Sequence, residues 1–215
     1  MSAFINVLQY WPLLLSGLAV TVVLAVISIV GGMALGILAG SGLVSNSHIV
    51  RVIASVYTSI FRGSPLLIQL FMIYLGLAYL GVNMSVYTAA GIGFVLYTGA
   101  YVAEIIRAGV NALEVGQFEA AESLAFNRFT TMVRVILPQV LKNSAPTLAS
   151  FLLGVVKDTS LASILGFVDL TQQGQAIIAL TNEPFQTLLV VAVLYFVICF
   201  PISRFADRLD RKVAA

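Results

Sequence analysis

Long apolar segments alternate with short polar clusters along this chain of 215 residues. A membrane-spanning helix needs about 20 apolar residues at a rise of about 1.5 Å per residue. Cutting the chain at its charges and polar clusters leaves five apolar segments, at about residues 12–39, 52–80, 87–106, 146–157 and 185–202. The pattern predicts an all-α integral membrane protein with about five transmembrane helices.

The composition supports the same class of protein. Hydrophobic residues make up 60% of the chain and charged residues 9%, whereas a soluble domain has about 25% charged residues. So few charges cannot cover a water-facing surface, which excludes a soluble enzyme. The single cysteine, Cys199, and the single histidine, His48, exclude a disulfide framework and a multi-histidine site. We expect neither a metal nor a cofactor.

The positions of Lys and Arg predict the orientation of the chain, because these residues stay on the cytoplasmic side of short loops. Residues 1–50 contain neither, so the first apolar segment is expected to be a retained span and not a signal peptide. A cytoplasmic C-terminus and an external N-terminus place nearly all of them inside: Arg51, Arg107, Arg128, Arg134, Lys142, Arg204, Arg208, Arg211 and Lys212. The other two, Arg62 and Lys157, fall within predicted spans.

The internal connection between the third and fourth spans, residues 107–143, is too polar for lipid and too short for a domain. Residues 117–124 have a helix-forming composition, and apolar spacing resumes over 128–136. The intervening residues 125–127 predict a turn, in which Asn127 caps the second helix. The residues alone leave two interpretations open, a dock for a soluble partner or an amphipathic connector at the membrane surface.

Several short blocks in and around this loop carry a family resemblance. The loop contains Glu119-Ala120-Ala121 and ends in Val135-Ile136-Leu137-Pro138, and further blocks lie at residues 61–67, 103–109, 116–119 and 157–161. Together they resemble the membrane (permease) subunits of bacterial ATP-binding-cassette importers, in particular the polar amino acid family of the glutamine, glutamate, histidine and arginine type. The resemblance extends over about residues 17–211.

Two positions depart from the loop motif of that family. Ala125 stands where the family has Gly, and Val135 stands where it has Ile. The second change is conservative. The first is not, because a Gly at a helix break often has a positive φ, which costs Ala about 1 kcal/mol. Either the turn has a different shape in this chain or the loop tolerates the strain.

The resemblance implies one permease domain over residues 1–215, with a cytoplasmic coupling loop at about 109–143, in a bacterial inner membrane. The chain has no Gly-x-x-x-x-Gly-Lys-Ser/Thr loop, so ATP hydrolysis is assigned to a partner. The implied partners are a cytoplasmic ATPase dimer, a second permease subunit, identical or homologous, and an external amino-acid-binding protein, but no nucleic acid. The implied coupling residues are Glu119, Ala120, Ala121, Glu122, Ala125 and Pro138.

Charged residues within the predicted spans form a second candidate site, because an ionisable side chain there costs at least about 2.5 kcal/mol. An amino acid carries an ammonium and a carboxylate, so its site needs both signs of charge. Transporters also use broken helices for charged solutes, and the polar interruptions near residues 63 and 158 fit that device. The predicted substrate path is Arg62, Gly63, Ser64, Glu104, Lys157, Asp158, Thr159 and Ser160.

Each of these charges has a structural alternative. Glu104 and Arg107 are spaced as a helical ion pair, and Asp158 with its two hydroxyl neighbours is suited to cap a following helix. Arg62 is long enough to extend towards headgroups. Lys157 and Asp158 are adjacent, so at most one of them should face a path unless the helix breaks there.

The sequence leaves alternative functions open. A gradient-driven secondary transporter or channel subunit for a small polar solute would be expected to show repeated spans, and the five segments are unequal. An intramembrane enzyme needs a nucleophile in register with His48, and none is evident. The block at residues 170–175 resembles glutamine and glutamate permeases more than others. The residues leave open which amino acid is transported and whether the second permease subunit is identical.

Overall fold

The computed structural model describes the backbone of residues 2–213 and the side chains of residues 3–208. Arg211 and Lys212, two of the predicted internal charges, have side chains outside the described residues. The helices are α1 Ser2–Leu8, α2 Trp11–Leu43, α3 His48–Gly63, α4 Leu66–Phe71, α5 Leu77–Tyr79, α6 Val86–Asn111, α7 Val115–Ser123, α8 Arg128–Thr131, α9 Leu137–Asn143, α10 Ala145–Asp158, α11 Leu170–Thr181 and α12 Pro184–Val213.

Shorter helical turns join some of these elements. The π-helical turns Met72–Gly76 and Met132–Ile136 connect α4 to α5 and α8 to α9. A 3₁₀ turn, Thr159–Leu165, continues α10.

The helices confirm the predicted membrane architecture. Four described segments are long and apolar enough to cross a membrane, Trp11–Leu43, Val86–Asn111, Ala145–Leu165 and Pro184–Arg208. Helix α3 and the segment Leu66–Tyr79 together form a fifth span if they are counted as one, and the two are bent by 109° relative to each other.

The bend in the second span lies at the predicted polar interruption. Ser64 and Pro65 are both extended, with ψ values of 150° and 137°. Proline has no N–H to donate and disfavours the helical conformation in the residue before it. The Ser-Pro pair therefore ends α3, and α4 starts in a new direction.

Helices α2 and α6 form the centre of the fold through a stripe of glycines. Added Cβ atoms at Gly32 and Gly36 would lie 2.4 Å from side-chain carbons of Thr98 and Val102. Real Cβ atoms do not approach so closely, so only glycine permits this helix spacing. The glycines therefore place α2 directly against α6.

The connection between the 3₁₀ turn and α12 contains a helix, α11. The Gln172 N–H donates to Asp169 Oδ1 at 2.8 Å, so Asp169 caps this helix. Asp169 is fully buried, and the Tyr195 hydroxyl donates to its Oδ2 at 3.3 Å. Burial raises the pKa of the Asp169 carboxyl, while the N–H groups of Gln172 and Thr171 act in the opposite direction. An acidic N-cap followed three residues later by Gln is a local helix-start signal, so α11 was predictable from the sequence.

At residues 158–160, where the sequence predicts an interruption, α10 ends at Asp158 and passes directly into the 3₁₀ turn, so the backbone stays helical. Asp158 has φ −65° and ψ −20° and makes no side-chain cap, which also excludes the capping alternative. The Thr159 hydroxyl donates to the Val156 carbonyl, and the Ser160 hydroxyl to the Lys157 carbonyl, both at 2.8 Å. The two hydroxyls thus bond to carbonyls of the preceding turn, and the chain remains helical, as a 3₁₀ turn, beyond the polar cluster.

Candidate functional site

Glu104 on α6 is the centre of an ion-pair network. Its Oε1 lies 3.0 Å from Arg62 Nη1, and its Oε2 lies 2.7 Å from Arg107 Nη2 and accepts from Arg107 Nε at 2.7 Å. The Glu104 side chain is 17% exposed, against 41% and 43% for the two arginines. The predicted Glu104–Arg107 helical pair is confirmed. Arg62 joins it from the end of α3 instead of extending to headgroups.

Aromatic rings extend this network along the face of α6. The Arg62 guanidinium carbon lies 5.6 Å from the centroid of the Tyr101 ring. Tyr101 stacks on Phe151 of α10 at 5.2 Å and 15°, and the Tyr97 ring lies 4.8 Å from Tyr101. These rings are half-buried and join α6 to α10, with Arg62 of α3 at one end. We call Tyr97, Tyr101 and Phe151 the aromatic array.

The aromatic residues of this array were not predicted, although the sequence contains a signal for them. Tyr97, Tyr101 and Glu104 are spaced four and three residues apart, which places them on one face of a helix. Their contact with Phe151, about 50 residues later in the chain, is a long-range contact. Local spacing alone does not identify it.

Lys157 and Asp158 follow the array at the end of α10. Asp158 is half-buried and Lys157 is exposed, as expected for adjacent helical residues with different directions. Within residues 3–208, no ion-pair partner lies within 4.0 Å of Asp158. A Cβ added at Gly154, one turn earlier, would meet nothing within 4 Å, so the surface is open there. Asp158 is thus a half-buried carboxylate beside accessible space.

The other predicted path residues lie either beside Arg62 or beside Asp158. Gly63 and Ser64 lie at the α3–α4 break beside Arg62, and the Ser64 hydroxyl donates to the Ile60 carbonyl at 2.8 Å. Thr159 is fully buried, and Ser160 is half-buried. The structure thus brings Arg62 and Glu104 together, whereas the hydroxyls of Thr159 and Ser160 bond to their own helix.

The coupling loop confirms the predicted helix–turn–helix. Ala125 has φ +58°, its N–H donates to the Glu122 carbonyl at 2.8 Å, and the Phe126 N–H donates to the Ala121 carbonyl at 3.1 Å. This is the Schellman ending of a helix, with Ala in the position that favours Gly. Asn127 then caps α8 by accepting from the Thr130 N–H at 2.9 Å. The loop therefore keeps the turn and tolerates the strain at Ala125.

Helix α7 presents a mixed polar and apolar surface. Glu119, Ala120 and Glu122 are exposed, while Ala121 is buried on the opposite side. Large apolar side chains are exposed around them, on Val115, Leu124 and Phe129 at 66–77%. A cleft of about 610 Å³ separates this surface from the α2–α3 connection, with Phe118, Phe126 and Phe129 in its lining. Apolar exposure on a loop outside the spans is typical of a protein-binding surface.

The loop is attached firmly to the membrane helices. Gln139 Nε2 donates to Gln117 Oε1 at 3.0 Å, which ties α9 to α7. A Cβ at Gly109 would lie 2.7 Å from Val140 Cγ1, so α6 and α9 are in close contact. Pro138 is exposed and lies inside a helical run, because the π-helical turn before it bonds the Leu137 N–H to the Met132 carbonyl. The loop therefore returns to α10 beyond Asn143 and not at the proline.

Comparison with known families agrees with this geometry. The family model described as the binding-protein-dependent transport system inner membrane component matches residues 32–215. The chain belongs to this family. It is the membrane permease component of a binding-protein-dependent transport system, and the predicted family and all-α membrane fold are confirmed.

Individual relatives match along nearly the whole chain. A putative glutamine transport system permease protein of Rickettsia conorii is 38% identical over 214 residues, or 98% of each chain. The L-cystine transport system permease protein of Bacillus subtilis is 36% identical, over 96% of this chain and 90% of its own. The identity between this chain and its relatives therefore extends beyond the loop motif.

Two solved structures share the fold. An amino acid ABC transporter crystallised with histidines superposes with a TM-score of 0.88 at 35% identity, over 97% of this chain and 98% of that chain. An inward-facing methionine ABC transporter superposes with a TM-score of 0.73 at 19% identity, over 94% and 98%. The second likeness supports the fold alone.

Proposed function

We propose that this chain is the permease subunit of an ATP-driven importer for polar amino acids, with glutamine as the first candidate substrate. The observation that carries the proposal is the aromatic array, which holds a guanidinium at one end and is followed by the half-buried carboxylate of Asp158. Relatives named as glutamine permeases, at 38–39% identity, support the choice of substrate.

The two ends of the array suit the two charges of an amino acid. The Asp158 carboxylate accepts hydrogen bonds from the substrate ammonium, since it has no ion-pair partner among the described residues. Arg62 uses only Nη1 towards Glu104, so its other N–H donors are available to the substrate carboxylate. The rings of Tyr97, Tyr101 and Phe151 pack against the substrate side chain.

The remaining path residues have supporting roles in this proposal. Glu104 holds Arg62 in place, and the exposed Gly63 leaves room for the substrate beside it. The hydroxyl oxygens of Thr159 and Ser160 still accept hydrogen bonds after donating to the helix. Lys157 is exposed and faces away from Asp158, so it contacts the headgroups or the opposite wall of the path.

The coupling surface of α7 binds a cytoplasmic ATPase, one for each of two permease subunits. Glu119 and Glu122 supply charge, Leu124 and Phe129 supply apolar contact area, and Ala120 allows close approach. The contacts of α7 with α9 and of α9 with α6 transmit its movement into the membrane. ATP then shifts the population between inward-facing and outward-facing states because it binds one of them better. Catalysis of ATP hydrolysis belongs to that partner.

The proposed orientation keeps the N-terminus outside and the C-terminus in the cytoplasm. It rests on the distribution of Lys and Arg. The same orientation places α7 on the cytoplasmic side, where an ATPase is available, and α11 outside, where an amino-acid-binding protein delivers its substrate.

Uptake by the reconstituted complex tests the substrate class. Proteoliposomes contain this chain, its ATPase and its external binding protein, and they take up radiolabelled glutamine from the outside. We expect unlabelled polar amino acids to compete and apolar ones to compete at least tenfold less well. Competition by sugars or peptides, without competition by any amino acid, would contradict the proposal.

A further inference from the structure

The break between α3 and α4 leaves helix carbonyls without partners inside the membrane region. The last carbonyls of any helix have no N–H donor within their own helix, and lipid offers no replacement donors. Pro65 follows the break and has no N–H. The Ser64 hydroxyl satisfies the Ile60 carbonyl at 2.8 Å. The Phe61 and Ser64 carbonyls need donors from elsewhere.

One side chain of α4 supplies both. Gln69 Nε2 donates to the Phe61 carbonyl at 2.7 Å, to the Ser64 carbonyl at 2.9 Å and to Ser64 Oγ at 3.0 Å. Gln69 is only 7% exposed. A single buried carboxamide thus connects the end of α3 with the start of α4.

The hydrogen bonds determine which way the amide of Gln69 faces. Rotating it by 180° would place Oε1 against two carbonyl oxygens, which only accept. In the observed orientation Oε1 is buried and has no hydrogen-bond partner among the described residues. An unpaired buried acceptor is unfavourable, and the fold retains it because both amide hydrogens are needed at the break.

The carbonyls that Gln69 holds lie on either side of Arg62. Phe61 precedes Arg62 by one residue, and Ser64 follows it by two. They therefore set the direction of the last turn of α3, from which Arg62 reaches Glu104 at 3.0 Å. Without this connection, the end of α3 would be held to α6 mainly by earlier contacts, such as the hydrogen bond from the Tyr57 hydroxyl to the Leu96 carbonyl at 2.7 Å.

We infer that Gln69 is a positioning residue of the translocation path. Its carboxamide holds the α3–α4 break in the geometry that lets Arg62 pair with Glu104 and turn its free donors to the substrate. Gln69 itself acts through Arg62 and not on the substrate. The link to substrate binding rests on the proposed function, whereas the link between Gln69 and the Arg62–Glu104 pair does not.

A double-mutant cycle in the assembled complex tests that second link. Gln69→Leu keeps the volume of the side chain but removes both donors, and Glu104→Gln weakens the ion pair. Independent sites have additive effects on stability. We expect Gln69→Leu to lower the thermal unfolding midpoint, and to lower it by less than half as much in the Glu104→Gln background. Additive shifts would overturn the proposal. Gln175→Leu, at an exposed position of α11, is the matched control and should leave the unfolding midpoint unchanged in both the wild-type and the Glu104→Gln background.

Gln69→Glu gives an independent test if the leucine variant does not assemble. A protonated carboxyl has one O–H donor for the break, and an ionised carboxylate has none. Its deficit in unfolding midpoint relative to wild type should therefore shrink as the pH falls. A deficit that does not change with pH would contradict the proposed positioning role of the residue 69 side chain.

Uptake separates this proposal from the function on which it partly rests. Gln69→Leu should raise the half-saturating glutamine concentration at least tenfold, with a smaller effect on the maximal rate. An unchanged half-saturating concentration would overturn the link to the substrate. If the wild-type complex transports no amino acid, the proposed function fails, and the thermal cycle still decides whether Gln69 positions Arg62.

Discussion

Replacing Ala125 by Gly should stabilise the coupling loop. Ala125 has φ +58° and occupies the left-handed position of the Schellman ending of α7. A Cβ in this conformation costs roughly 1–2 kcal/mol, and glycine avoids that cost. Glycine also gives the unfolded chain more freedom, which offsets about 0.4–1 kcal/mol of the gain. The expected net stabilisation is about 0.8 kcal/mol.

Hydrogen exchange is the most direct assay, because the strain is local to the loop. The Phe126 N–H bonds to the Ala121 carbonyl and is exposed to exchange only when this ending opens. A stabilisation of about 0.8 kcal/mol corresponds to an increase in protection of about fourfold, at 1.4 kcal/mol per factor of ten. Ala125→Val is the matched control, since a β-branched residue fits the left-handed region poorly and should reduce protection.

The order of protection expected is Gly above Ala above Val at position 125. Lower protection in Ala125→Gly than in wild type would refute the reasoning, because it would mean that φ at this position is not strained. Substrate-stimulated ATP hydrolysis by the assembled complex should persist in Ala125→Gly, since the Schellman bonds of the turn are retained.

Three further outcomes follow from the site and the topology. Glu119→Lys reverses charge on the exposed face of α7, so the subunit should insert normally while substrate-stimulated ATP hydrolysis falls at least tenfold; unaltered stimulation would make Glu119 an ordinary surface carboxylate. Asp158→Asn should raise the half-saturating glutamine concentration for uptake about ten- to hundredfold, since a charge-assisted hydrogen bond contributes roughly 1.5–3 kcal/mol. The measurement is made with binding protein in excess, and full uptake would make this carboxylate structural. In a background without Cys199, a cysteine at Asn182 should react with an impermeant thiol reagent from outside and one at Asn127 only from inside, and the reverse pattern would invert the topology.

The membrane spans and the loop turn are predictable because their determinants are local. Lipid requires about 20 apolar residues in a row, so hydropathy locates the spans, although the fourth extends to Leu165, beyond its predicted end near residue 157. Asn127 and Pro65 act on their own neighbours, by capping a helix and by ending one. The Glu104–Arg107 pair is local as well.

The contacts between helices are not predictable in this way. Gly36 fits against Val102, and Tyr101 stacks on Phe151, only because distant parts of the chain meet. The continuity of the helix through Asp158 is a different case, because the neighbouring hydroxyls bond backward to the preceding turn. Polar residues at a helix end and polar residues inside a helix have similar local sequences.

ATP dependence of uptake tests the central claim most directly. Proteoliposomes with the complete complex are loaded with ATP or with a non-hydrolysable analogue, and ionophores remove every ion gradient. We expect glutamine uptake against its concentration gradient with ATP alone, and none with the analogue. Uptake that proceeds without ATP hydrolysis and stops when the ion gradients are removed would contradict it and would identify a gradient-driven transporter.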